Sequence, residues 1–130
     1  MAGRTGRLIA PARLIEELLH HDMTRQRQQV GPSYNYMDSS LVPEADIRVG
    51  VGHIGEVPAG FKPLVKPHKH PVSKVYAIIG DLTVEVTLDG EKHEVSAPAG
   101  VFVPAGMMHS IKPLRGSGYL VVVLRGARYE

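Results

Sequence analysis

Two periodicities divide the chain. Over residues 11–29, "PARLIEELLHHDMTRQRQQ", Leu14, Ile15 and Leu18 recur at three- and four-residue spacing with Leu19 beside them, which predicts an amphipathic helix. Pro11 suits its first turn, and Gly31-Pro32 should end it. The next stretch, "SYNYMDSSLVPEA", has no period and reads as a loop or an irregular edge. From Asp46 onward the period becomes two. "DIRVGVGHIGEV" alternates, with Val49, Val51 and His53 on one face and Arg48 on the other, where solvation is expected. "KVYAII", "LTVEVTL", "KHEVSA", "VFVP" and "YLVVVLRG" follow as short β-rich runs. They are separated by turn signals such as Gly80-Asp81, Asp89-Gly90 and Gly116-Ser117-Gly118.

This spacing predicts an all-β sandwich or barrel over 46–130, preceded by an arm, a short helix and an irregular segment over 1–45 that packs on the barrel or a partner. One hairpin can be placed in register. Asp89-Gly90 is a type I′ signature, so Leu88 should face Glu91, Val86 should face His93, and Val84 should face Val95. Val84, Val86 and Val95 then point to the core, while Thr83, Glu85, Thr87, Lys92 and Glu94 point outward. Phe102 and Tyr119 also read as core.

At 130 residues the chain has room for one core. A formal charge of +2, with basic residues scattered, argues against nucleic acid as a partner. Without cysteine there are no thiolate ligands or nucleophiles, and no apolar run is long enough for a membrane span. A cytoplasmic protein is the expectation.

Candidate chemistry lies in histidine. His20 and His21 belong to the predicted helix and suit surface roles. His68 and His70, in "PHKHPVSK", are two apart and share a face of an extended chain, close enough to hold one ion. His109 follows "GVFVPAGMM" on a later strand. His53 is either a pocket residue or a buried histidine satisfied by backbone, and Met107 suits a pocket wall.

The order HxH, strand, glycine, hairpin, PxGxxH resembles the cupin superfamily. Gly60 leads to His68 and His70, Gly80 follows at the expected distance, and Pro104, Gly106 and His109 match the second motif. The resemblance implies an antiparallel jelly-roll barrel (a double-stranded β-helix) and a divalent transition metal, iron, zinc, nickel or manganese, on His68, His70 and His109. It also implies a small-molecule substrate and frequent dimers. The glutamate of the first motif does not carry over, because Lys74 stands in its place. Strand parity puts Lys74, Tyr76 and Ile78 inward and Val75, Ala77 and Ile79 outward, unless Pro71 introduces a bulge that turns Lys74 to solvent.

Three imidazoles without a carboxylate would leave the ion's charge uncancelled and favour anionic, oxygen-bearing substrates. Lys74 and Tyr76 are the proton-transfer candidates. A dioxygenase, lyase or isomerase is expected, with a non-catalytic binding cupin or a metal-free epimerase or cyclase as alternatives. The outward Val75, Ala77 and Ile79 predict a homodimer.

Overall fold

The computed structural model describes residues 4–16, 18, 23–61 and 67–126. Seven strands run through them: β1 (Arg13–Leu14), β2 (Ser33–Met37), β3 (Ile47–Ile54), β4 (Lys74–Leu88), β5 (Glu91–Ser96), β6 (Ala99–Val103) and β7 (His109–Arg125). They form an antiparallel sheet in the order β1-β2-β3-β7-β4-β5, with β6 also paired to β4. The fold is an all-β jelly roll, as expected.

The predicted helix is shorter than its pattern. Arg13 and Leu14 pair with β2, Ile15 donates its N–H to the Ser33 carbonyl at 2.8 Å, and among the described residues the helix α1 covers Met23–Gln29. Edge pairing satisfies the backbone of 13–15 and overrides helical propensity there. Leu19, His20 and His21 lie outside the described residues. Gly31 does close the helix: its φ is 141°, and its N–H and that of Val30 both reach the Gln26 carbonyl, at 3.0 and 2.9 Å. The segment read as a loop or irregular edge begins as strand β2, with a register shift between Asn35 and Met37.

Gly80-Asp81 and Gly116-Ser117-Gly118 are not turns. They face each other within the continuous pairing of β4 and β7, Gly80 opposite Gly118 and Leu82 opposite Gly116. A Cβ on Gly116 would stand 1.8 Å from the Asp81 carbonyl oxygen, and one on Gly118 would stand 2.0 Å from that of Ile79. These glycines let two long strands approach closely where they bend.

The Asp89-Gly90 hairpin has the expected register in all three pairs. Asp89 and Gly90 both have positive φ, 50° and 86°, as a type I′ turn requires. Val84 and Val86 are fully buried, and Val95 packs against the core they share with Ile78, Leu82 and Val103. Thr83, expected outward, is buried, its hydroxyl 2.9 Å from Ser96 Oγ of the paired strand; the register shift between β4 and β7 beside it places the extra residue, Leu114, on β7. Phe102 and Tyr119, expected in the core, lie on the outer face at 62% and 46% exposure. Among the described residues no helix is long and apolar enough to cross a membrane.

Candidate metal centre

Backbone pairing brings the two histidine segments together. His68 and His109 form an antiparallel bridge with N–H to carbonyl distances of 3.0 and 2.8 Å, and Gly106 donates its N–H to the His70 carbonyl at 2.8 Å. All three imidazoles are buried, and one nitrogen from each lies within 4.8 Å of the others. Ring centroids are 4.6 to 5.2 Å apart.

The donor set fits a transition metal. His109 Nδ1 lies 3.0 Å from the Met107 carbonyl, so it donates there and leaves the Nε2 lone pair facing inward. Burial, reinforced by the charge of Lys74, holds the His109 imidazole down to about 4, neutral as a ligand must be. Metal–nitrogen bonds of about 2.1 Å require ligand atoms roughly 3 to 3.4 Å apart, a small contraction of the group.

Lys74 points inward and is only 3% exposed, so no bulge at Pro71 turns it out. Its Nζ lies 3.0 Å from Tyr76 Oη, 3.0 Å from His109 Nε2 and 3.3 Å from His70 Nε2. The amine donates to the Tyr76 oxygen and to the His109 lone pair. Burial, followed by the Arg48 charge, brings its pKa down to about 7. Tyr76 is buried beside it. Inward parity therefore holds for Lys74, Tyr76 and Ile78, with Val75 and Ile79 outward.

Strand β3 corrects two expectations. Arg48 is not solvated; it is 5% exposed and points into the barrel, its Nε 3.7 Å from Asp38 Oδ2. His53 lies on the opposite face, its ring edge-on to Tyr34 and Tyr119, and its buried Nε2 has no hydrogen-bond partner. It is neither a residue of the Lys74 cavity nor a histidine satisfied through that nitrogen. Met107 acts through its carbonyl, while its side chain packs on the core.

Lys74, which touches His70 and His109, also borders a cavity of about 100 Å³ lined by Tyr76, Arg48 and mainly apolar residues including Ile54, Phe61 and Leu120; the three histidines do not line it. Arg48 is the site residue that sequence reasoning missed. A signal was available: Gly50 and Gly52 continue its face without side chains, which leaves room for a long inward residue.

No protein-family profile matches the sequence, and no curated protein is significantly similar to it. Solved structures are similar in fold. KdgF from Halomonas sp. has 17% identity and a TM-score of 0.56, over 75% of this chain and 78% of its own. The cupin domain of Schizosaccharomyces pombe Cnp3 has 24% identity and a TM-score of 0.55, over 73% and 64%. A variant of Bacillus subtilis oxalate decarboxylase has 15% identity and a TM-score of 0.57, over 91% of this chain but only 28% of the decarboxylase. Together with the HxH and PxGxxH segments bridged at its centre, these likenesses show that the chain has the cupin fold.

Proposed function

We propose that the protein is a metal-dependent enzyme acting on a small anionic, oxygen-bearing substrate. The observation that carries this reading is the group of three buried imidazoles with ligating nitrogens within 4.8 Å of one another. His68, His70 and His109 hold the ion, which supplies Lewis-acid polarisation of the substrate, with dioxygen chemistry added if it is iron. Lys74 Nζ, within 3.0 Å of Tyr76 Oη, is placed to pass a proton between substrate and the Tyr76 hydroxyl. One of the similar folds supports the reading: it is an oxalate decarboxylase by name, and Mn(II) centres are described for that protein. Dioxygenase, lyase and isomerase chemistry all begin from such a bound anion.

A second reading has its own observation. Lys74 Nζ already stands within hydrogen-bond reach of His70 and His109. A protonated amine there would take the place of the ion and make the barrel a metal-free anion pocket. Elemental analysis of the purified protein, beside a His68→Ala/His109→Ala variant, separates the two. About one transition metal per chain in the parent and none in the variant supports the enzyme reading. No metal in either, even after anaerobic reconstitution, supports the second.

The protein is further proposed to work as a homodimer joined through the outer face of the sheet. Strand registers align Leu14, Tyr34, Val51, Val121 and Ala77 in one row across five strands. Met37, Val49, Val123, Val75 and Phe102 form a second row. Both rows are free of charge; the first includes Leu14, 37% exposed, and the second Phe102, at 62%. At about 4.8 Å between strands, five strands make such a face about 20 Å wide, the size of the larger apolar patches that mark interaction sites. A neutral face offers a charged partner nothing to pair with and is complementary to a second copy of itself. Sedimentation of a monomer at micromolar concentration would overturn this.

A further inference from the structure

The cavity that Lys74 borders has a charged end that the proposed chemistry does not use. Arg48 enters the barrel from β3, and its guanidinium lies over Gly50: a Cβ there would be 3.5 Å from Nη1. The next inward position, Gly52, also lacks a side chain and lines the same cavity. Two successive inward glycines make the space, and Arg48 closes one side of it. Asp38 is an ion-pair partner of the arginine. Its Oδ1 accepts from the Ser40 N–H at 2.9 Å and the Ser40 hydroxyl at 2.6 Å, while Oδ2 stays 3.7 Å from Arg48 Nε. Lys74 borders the same cavity, so two buried basic side chains share a chamber whose other walls are mostly apolar. Within the described residues lining it, none is acidic.

We infer that this chamber takes a short-chain carboxylate, with the carboxylate on Arg48, the apolar body between Ile54, Phe61 and Leu120, and the far end facing Lys74 and Tyr76. Guanidinium matches a carboxylate in shape and charge, and few other side chains can anchor one in so apolar a space. Size narrows the class. A cavity of about 150 Å³ accommodates benzene, so about 100 Å³ admits roughly four non-hydrogen atoms. Butyrate exceeds this by about two atoms, which the cavity mouth can take; octanoate exceeds it by about six and leaves most of its tail outside. The inference deepens the proposed function, because it names the substrate's anchoring group and length, yet the anchoring itself does not need the metal.

The test is calorimetric titration of the intact protein, both chelator-treated and metal-loaded, with butyrate, butyramide and octanoate. Butyrate should bind both forms, with butyramide at least about tenfold weaker, the loss expected when a charge-assisted contact is removed, and octanoate weaker too because its tail does not fit. Arg48→Met should lower butyrate affinity by about the same factor. If that variant fails to fold, because Asp38 is left without its cation, Gly50→Ala serves instead. It keeps the arginine and fills the floor of the chamber, and it should weaken butyrate while leaving the circular dichroism spectrum unchanged. Equal binding of butyrate and butyramide would overturn the inference, as would unchanged binding in a folded Arg48→Met or Gly50→Ala protein. Butyrate binding to a protein that never takes up metal would sink the metalloenzyme reading and leave this one standing. Metal uptake without butyrate binding in either form would do the reverse.

Discussion

The two faces of strand β4 invert the usual partition between oil and water. Inward lie Lys74 and Tyr76, each 3% exposed, and Ile78 at 1%; outward lie Val75 and Ile79 at 39% and 46%. A lysine amine is buried while an isoleucine is half in solvent. The backbone enforces the alternation, since successive side chains must point to opposite sides. It does not say which side becomes the core. The inner face tolerates a costly cation because it borders a cavity and three imidazoles. The outer face carries apolar groups that gain nothing from water, which is the condition of a surface awaiting a cover.

The largest expected effect lies on the inner face. His68→Ala/His109→Ala should abolish metal uptake completely, read by elemental analysis, while the antiparallel backbone bridge between these segments keeps the fold. Neighbouring isoleucines sharpen the contrast next. Ile78→Ala should cost about 2 to 5 kcal/mol in denaturant unfolding, as a cavity-forming change in a packed core does. Ile79→Ala should cost about 0.5 kcal/mol or less in a monomer. A larger loss for Ile79→Ala that grows with protein concentration would mean that the outer face is covered.

Lys74 comes next, through pH. Its amine is held near 7 in the native state against an ordinary 10.5. Below pH 7 both native and unfolded chains carry the proton, and the native state bears the full cost of burying it. Between 7 and 10.5 the unfolded chain binds more protons, so native stability should rise with pH, by at most about 1.4 kcal/mol per unit. Lys74→Met should remove that rise in the metal-free protein, as seen in unfolding midpoints across the range. The same slope in both proteins would place the titration elsewhere. The last expectation lies at the β6 end of the outer face, where Phe102→Ala should weaken self-association about tenfold in sedimentation.

Some of this was legible from residues alone, and for a common reason. The Asp89-Gly90 register, the shared face of His68 and His70 and the inward parity of Lys74 depend on geometry that acts over a few residues. A turn type sets a register, and a two-residue period sets a face, whatever lies around them. The pairing of HxH with PxGxxH was legible as a resemblance, and the bridge between His68 and His109 is its structural form.

What escaped depended on neighbours distant in sequence. Gly116 and Gly118 looked like a turn, but the approach of Asp81 and Ile79 from another strand is what forbids a side chain there. Residues 13–15 had a helical pattern until β2 offered their backbone a sheet edge. Phe102 and Tyr119 read as core because hydrophobicity reports a preference for burial without saying which face is sealed inside the chain. Arg48 read as solvated for the converse reason. The sequence by itself determined alternation, turn geometry and the supply of imidazoles; the tertiary structure decided which side of each strand is inside, because that depends on how the whole sheet closes around its cavity.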